Sequence, residues 1–110
     1  MVPRMQGGDS LVIVFIRIEA RPEKRKELSQ TLQSIVQRVG MERGCLHADL
    51  YQDTEKENEF LVVEEWATQK DSDKHLRSDI FTVLLGAGSL LSRPAGIVIH
   101  TISHSTELEA

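Results

Sequence analysis

The hydrophobic and polar residues of the chain follow two periods, one typical of strands and one typical of helices. Apolar or alternating stretches of the length of a strand occupy residues 11–20, 45–53, 59–67 and 97–103. After the first of these, apolar residues return at every third or fourth position over residues 22–39. This spacing predicts a helix with a single apolar face.

A second helix is predicted directly after the third strand. Thr68 and Asp71 have the spacing of a capping box, with Asp in place of the usual Glu. Apolar residues then recur at helical spacing, at Leu76, Ile80, Val83 and Leu84. The element order is therefore β-α-β-β-α-β, an α+β fold of the ferredoxin-like type with a four-stranded antiparallel sheet. Right-handed crossovers would place both helices on one face of that sheet.

The central strands carry large apolar side chains on both faces. Along the first strand, alternate apolar residues point in opposite directions: Val12, Val14, Ile16 and Ile18 against Leu11, Ile13 and Phe15. Two helices cover only one face, and each large apolar side chain left in water costs about 1.5–3 kcal/mol. An exposed patch of this kind marks an interface. We expect a homodimer formed sheet against sheet through the open face, with a different partner protein as the alternative.

Composition and charge indicate one ordinary globular domain. The chain has 110 residues, of which 40% are hydrophobic and 27% charged. We expect a flexible leader at residues 1–9, a folded domain at 10–104 and a C-terminal tail at 105–110. A net charge of −4 argues against a nucleic-acid partner or an acidic membrane, and no apolar run reaches the ~20 residues of a membrane span. We therefore expect a cytoplasmic protein.

Three stretches of the sequence carry a resemblance to a known family. They are RIEARPEKRKEL after the first strand, GCLHADLYQD in the second, and FLVVEEWATQKDSDKHLRSDIF from the third strand into the second helix. In this order they resemble the antibiotic biosynthesis monooxygenase type of domain, in the dimeric α+β barrel superfamily, over about residues 11–103. The resemblance implies a cofactor-independent oxygenase. Such an enzyme would oxidise a small aromatic substrate, a quinol or polyphenol, with O₂ in a pocket between sheet and helices.

Neither a cofactor nor a metal is expected. The chain has no Gly-rich phosphate loop after a strand, and Cys45 is its only cysteine. His100 and His104 are four residues apart, which on a strand is roughly 13 Å. Both could not bind one ion at the ~2 Å of a metal–nitrogen bond. These observations agree with the cofactor-independent chemistry that the resemblance implies.

Within the resemblance, Glu64, Trp66 and His75 are candidate site residues. Trp66 and Glu64 are in phase on the third strand, where the indole could contact a flat aromatic substrate or be an ordinary core residue. His75 precedes Leu76 and so lies about 100° around the helix from the apolar stripe. There it is either the catalytic base at the pocket mouth or a solvated helix residue. Transfer of a proton from a phenol of pKa near 10 to a histidine of pKa near 6.5 is unfavourable by about 5 kcal/mol. The site would therefore have to assist proton loss.

Further candidates flank these three. Glu64 and Glu65 are adjacent on a strand and must point to opposite faces. The inward carboxylate could have a raised pKa and act as a base, or it could pair with an arginine such as Arg17. Phe81 and Leu84 would line the helical wall of the substrate pocket.

Other functions are compatible with the same scaffold. One is a non-catalytic dimeric module for binding or stress response. Another is an isomerase or aldolase-like activity on a phosphorylated or lactone substrate, for which Lys70, Lys74 and Arg77 lie nearby. Haem-degrading members of the superfamily carry an asparagine on the first strand and a histidine past the SDIF segment. Here Phe15 and its neighbours replace the asparagine, and TVLLGAG follows Phe81 without a histidine.

Overall fold

The computed structural model describes residues 10–78 and 87–109, which form a four-stranded sheet with its helices. The strands are β1 (Leu11–Glu19), β2 (Cys45–Gln52), β3 (Glu59–Trp66) and β4 (Gly96–Ile102), and the α-helices are α1 (Arg25–Gly40) and α2 (Gln69–Leu76). Short 3-10 turns lie before α1 at Pro22–Lys24 and before β4 at Ala87–Leu90. The predicted β-α-β-β-α-β order and the ferredoxin-like α+β fold are confirmed.

Every strand pair in the sheet is antiparallel, and the order across the sheet is β2-β3-β1-β4. β1 lies inside the sheet, where Val14 is opposite Glu64 of β3 on one side and Ile99 of β4 on the other. Directly opposite residues of an antiparallel pair share a face. The inward face of β1 therefore continues into alternate residues of both neighbouring strands.

The core lies between one face of the sheet and the apolar face of α1. Alternate residues of β1 and β3 are buried there, from Val12 to Ile18 and from Phe60 to Trp66. The helical stripe predicted between residues 22 and 39 is confirmed, since α1 buries Leu28, Leu32, Ile35, Val36 and Val39. Burial of each of these side chains contributes about 1.5–3 kcal/mol, which fixes α1 against the sheet.

The start of β2 differs from its predicted alternation. Two-residue alternation over residues 45–53 predicts that Leu46 shares a face with Ala48 and Leu50, opposite Cys45. The register shifts between Cys45 and His47, however, and such a bulge reverses the direction of the side chains before it. Cys45 therefore packs against the core with Ala48 and Leu50, whereas Leu46 is 49% exposed.

The described part of α2 is short and buries polar residues. Its buried side chains are Ser72 and His75, whereas Leu76 is half-buried. The predicted apolar stripe that begins at Leu76 continues through residues 80–84, which lie outside the described residues. The inward face of α2 that can be described is therefore polar, and it points at the sheet beside Trp66.

The opposite face of the sheet carries apolar side chains that are only partly covered. Ile13, Phe15 and Val63 are half-buried, and Val98 of β4 is 48% exposed. The His100 ring lies edge-on to Phe15 at a centroid distance of 5.5 Å. Within the described ranges, no helix combines the length and the apolar character needed to cross a membrane.

Candidate active site

The C-terminal end of β3 supplies two inward-facing side chains to the candidate site. Glu64 is 1% exposed and Trp66 is fully buried, as expected from their two-residue spacing on a strand. The indole Nε1 of Trp66 donates a hydrogen bond to Glu64 Oε1 at 3.1 Å. This hydrogen bond holds the Glu64 carboxylate at a fixed position on the inward face of the sheet.

α2 places a histidine on top of this pair. The Thr68 side chain accepts a hydrogen bond from the Asp71 backbone N–H, which caps the helix as predicted. Two turns later the His75 ring stacks on Trp66, with ring centroids 4.7 Å apart and an interplanar angle of 28°. His75 is 2% exposed, so the solvated alternative is wrong. Because the imidazole covers one face of the indole, a flat substrate has no place between these two rings.

Two carboxylates hold the imidazole from opposite edges. His75 Nε2 lies 3.2 Å from Glu64 Oε2, and His75 Nδ1 lies 3.0 Å from Glu42 Oε2. Glu42 belongs to the turn between α1 and β2, and a quarter of its side chain is exposed. We call Glu42, Glu64, Trp66 and His75 the His75 cluster.

Glu42 was not among the residues predicted from the sequence. It lies 33 positions from His75 in the chain and belongs to no periodic pattern. The only local signal is the glycine two residues later. Gly44 has φ +86°, and a Cβ at this position would collide with the Asp71 carboxylate of α2. The turn therefore approaches α2 very closely, and this brings Glu42 within reach of the imidazole.

The surroundings of His75 favour its protonated form. Burial has the largest single effect and lowers the pKa of His75. The hydrogen bond and charge of Glu64, with the charge and hydrogen bond of Glu42, act in the opposite direction and together raise this pKa above its ordinary value. In the imidazolium form both ring nitrogens donate, which matches an acceptor on each side.

The same charges act on Cys45, which faces inward beside the cluster. Burial, followed by the negative charges of Glu64 and Glu42, raises the pKa of the Cys45 thiol to about 11. Its Sγ donates to the His47 carbonyl oxygen at 3.4 Å. Cys45 is therefore a neutral thiol in the wall of the site.

The adjacent glutamates point to opposite faces, as predicted. Glu64 enters the cluster, and its partner is His75 instead of an arginine such as Arg17. Glu65 points to the open sheet face, where its carboxylate lies 3.8 Å from His47 Nε2. Phe81 and Leu84, predicted to line the pocket wall, lie outside the described residues, so their place in the site stays a prediction.

Ser72 adds an unusual buried hydroxyl on the same face of α2 as His75. It is 1% exposed, and its Oγ makes no hydrogen bond within the described part of the chain. Leaving a buried hydroxyl without a partner costs about 1–3 kcal/mol. Within residues 10–78 and 87–109, no three His, Cys, Asp or Glu side chains are placed to hold a metal ion.

A cavity of about 580 Å³ lies elsewhere, where β1 and β2 end and β3 and β4 begin. Arg17, Tyr51, Phe60 and Arg93 are among its lining residues, and no member of the His75 cluster is. The charged side chains that line this cavity reach solvent, as in the Arg93–Glu19 ion pair. The perturbed ionisable groups of the described chain that are buried lie at the His75 cluster, which we therefore take as the candidate site.

Comparison with known sequences gives one family. Residues 11–84 match the family described as Antibiotic biosynthesis monooxygenase. The Bacillus subtilis protein named "Putative monooxygenase YcnE" is 30% identical over 89 residues, which cover 80% of this chain and 94% of that protein. An uncharacterized protein of Synechocystis sp. is 28% identical over 105 residues, covering 94% of this chain and 71% of that protein.

Comparison with solved structures supports the fold. The structure of Rv0793 from Mycobacterium tuberculosis superposes with a TM-score of 0.79 at 25% identity, covering 89% of this chain and all of that one. A Deinococcus radiodurans structure superposes with a TM-score of 0.82 at 22% identity, covering 90% of this chain and 99% of that one.

Proposed function

The chain belongs to the antibiotic biosynthesis monooxygenase family, and on that premise we propose that it is a cofactor-independent monooxygenase that oxidises a quinol or polyphenol with O₂. The observation that carries the proposal is the buried Glu64–His75 pair stacked on Trp66. A buried histidine hydrogen-bonded to carboxylates can accept and donate protons. The oxidation of a quinol by O₂ begins with the loss of a hydroxyl proton, which such a histidine can accept.

In this proposal the cluster takes up the substrate proton as a unit. Neutral His75 is the member that accepts the proton, and the two carboxylates stabilise the imidazolium that forms. The raised pKa of His75 narrows the gap to a phenol of pKa about 10. In this proposal Trp66 and Glu64 line the floor of the substrate site; Phe81 and Leu84, which lie outside the described residues, stay the predicted helical wall. The Ser72 hydroxyl, which has no hydrogen-bond partner among the described residues, is available to a polar atom of the substrate.

The oxygen step then needs no other reductant. The substrate anion gives one electron to O₂, and the substrate radical and superoxide combine through a new C–O bond to form a peroxide anion. This anion takes back from His75 the proton that the substrate released and becomes a hydroperoxide. The O–O bond then breaks as the ring carbon loses its hydrogen to the cluster as a proton, while the outer oxygen takes a proton from the cluster and leaves as water. A quinol thus gives a hydroxylated quinone and one water, and all four electrons taken by O₂ come from the substrate. A preorganised imidazolium stabilises the negative charge that develops on oxygen.

The direct test is oxygen uptake with a menadiol-like quinol under ¹⁸O₂, compared with anaerobic incubation. We expect uptake above autoxidation, one labelled atom per product molecule and no accumulation of hydrogen peroxide. His75→Ala should lower the rate by roughly 10²–10⁴-fold. The matched control is His104→Ala, because His104 is exposed and contacts Thr106 beyond β4. Full activity of His75→Ala contradicts its catalytic role, and no uptake with any of several quinols favours a non-catalytic binding module.

We also propose that the protein is a homodimer formed through the open sheet face. The partly covered apolar residues Ile13, Phe15, Val63 and Val98 support this assembly. A two-fold contact between this face and the same face of a second copy covers the patch on both subunits. Such a contact closes the assembly at two subunits. Light scattering at micromolar concentration should give twice the 12.4 kDa chain mass; a monomer contradicts the proposal.

A further inference from the structure

Glu42 is held in place by its own backbone. Its N–H donates to the Val39 carbonyl at 3.0 Å, and its carbonyl accepts from the Cys45 N–H at 3.1 Å. The backbone is therefore fixed on both sides of the residue. With Gly44 packed against α2, the side chain has a short and defined path to His75 Nδ1.

The members of the cluster differ in their access to water. The side chains of His75 and Glu64 are each 1% exposed, and Trp66 is fully buried. The Glu42 side chain is 25% exposed. Among the described residues that contact the imidazole, Glu42 is thus the ionisable group that both touches a ring nitrogen and reaches solvent.

The hydrogen bonds also favour one direction for a proton that leaves His75. Glu64 already accepts from Trp66 Nε1 at its second oxygen, and it is sealed from water. A proton on Nδ1 lies on a 3.0 Å contact with Glu42 Oε2. After its transfer, a protonated Glu42 donates back to the neutral ring, so that no buried group is left without a partner.

We propose that Glu42 is a positioning residue and the proton relay of this site, which exchanges protons between His75 and solvent during turnover. The relay rests on the function proposed above and adds to it the route by which the cluster resets between turnovers. The ionisable groups of the described elements that face the imidazole are Glu42 from the turn after α1, Glu64 from β3, and Cys45 from β2, which stays a neutral thiol.

Two substitutions separate a relay from simple packing. Glu42→Gln keeps the size of the side chain and an acceptor oxygen but removes the charge and the transferable proton. Glu42→Asp keeps the carboxylate but shortens the side chain by one methylene. A packing role would be preserved by Gln and weakened by Asp, whereas a relay predicts the opposite ranking. Glu55→Gln is the control, since Glu55 is exposed in the β2–β3 loop, away from the cluster.

The experiment measures the pH profile of quinol-dependent oxygen uptake, with the His75 titration followed by NMR in parallel. For Glu42→Gln we expect kcat to fall by roughly 10–100-fold, which is a smaller decrease than the one expected for His75→Ala. We also expect both the profile and the His75 titration to move to lower pH, because one of the two charges that raise the pKa of His75 is gone. Glu42→Asp should recover part of the rate, with the profile close to that of the wild type.

The outcomes separate the two proposals. If the wild-type protein shows no uptake above autoxidation, the proposed function fails, and the relay fails with it. If the wild type is active and Glu42→Gln keeps both its rate and its pH profile, the relay alone is overturned. A Glu42→Asp variant less active than Glu42→Gln, with an unmoved profile, likewise overturns the relay and assigns Glu42 to packing.

Discussion

Glu64→Gln tests the hydrogen bonds of the His75 cluster, because it changes the charge and almost no volume. The Glu64 carboxylate accepts two hydrogen bonds, from Trp66 Nε1 at 3.1 Å and from His75 Nε2 at 3.2 Å. A glutamine has one acceptor oxygen, and its amide nitrogen is a donor. His75 Nε2 lies 3.2 Å from both Glu64 oxygens. In the variant, a protonated His75 would therefore face the amide nitrogen, a second donor, and would share the single acceptor oxygen with Trp66 Nε1.

The size of the effect follows from the burial of all three groups. A buried donor without an acceptor costs about 1–3 kcal/mol, and this is the expected loss in unfolding free energy when His75 is charged. A neutral His75 escapes the conflict. Its Nε2 then accepts from the glutamine amide, while Nδ1–H donates to Glu42 and the glutamine oxygen accepts from Trp66. In that state each group has a partner, and the loss should be below about 1 kcal/mol.

The loss of unfolding free energy in Glu64→Gln should therefore change with pH in one direction. The pKa of His75 is raised in the folded protein, so this residue stabilises the fold below the unfolded histidine pKa of about 6.5. That contribution is lost as the pH rises through the folded pKa. Glu64→Gln removes the part of this contribution that comes from the Glu64 carboxylate, so the difference between the variant and the wild type is largest in acid and shrinks as the pH rises.

The assay is urea unfolding at a fixed protein concentration between about pH 5.5 and 8.5, followed by circular dichroism. A fixed concentration is needed because the stability of the proposed dimer would depend on the protein concentration. Glu55→Gln, in the exposed loop, is the matched control and should change the unfolding free energy by less than about 0.5 kcal/mol. A Glu64→Gln penalty that is equal at both ends of the pH range would refute the proposed hydrogen-bond arrangement.

Three further substitutions test other parts of the structure. Trp66→Phe should lower the unfolding free energy by about 1.5–3 kcal/mol, since a buried hydrogen bond to a carboxylate is lost; circular dichroism is the measurement, because the variant has no tryptophan to follow. Gly44→Ala should cost at least about 1–2 kcal/mol by thermal or urea unfolding, because φ is +86° and a Cβ meets Asp71, whereas Gly88→Ala, with open space around its Cβ, should cost much less. Ile13→Asp should convert the proposed dimer to monomer in light scattering without changing the far-UV spectrum, and a retained dimer would place the interface elsewhere.

The sequence was most informative where structure depends on neighbours in the chain. Two-residue alternation in β3 correctly predicted that Glu64 and Trp66 share one face of the strand, and the packing of the helices makes that face the inward one. The cap at Thr68 was also predictable, because the capping contact spans three residues. Local periodicity decides these features, since a strand or a helix sets the direction of each side chain.

Features that depend on distant contacts were not predictable in the same way. The bulge between Cys45 and His47 leaves no mark in the hydrophobic pattern, so the predicted direction of Leu46 was wrong. In the sequence His75 is a polar residue beside an apolar stripe, whereas in the structure carboxylates from two other elements favour its burial. Glu42 acquires its role solely through the close packing of a turn against α2, which no spacing in the sequence encodes.

The inward turn of Cys45 has a consequence for the redox stability of the protein. Cys45 is the only cysteine, and with a pKa of about 11 roughly one molecule in ten thousand carries a thiolate at neutral pH. Peroxides and alkylating agents attack the thiolate, so the folded chain is protected from sulfenic acid formation by stray oxygen species. Iodoacetamide should then modify the folded protein far more slowly than the unfolded chain, in which the thiol has its ordinary pKa.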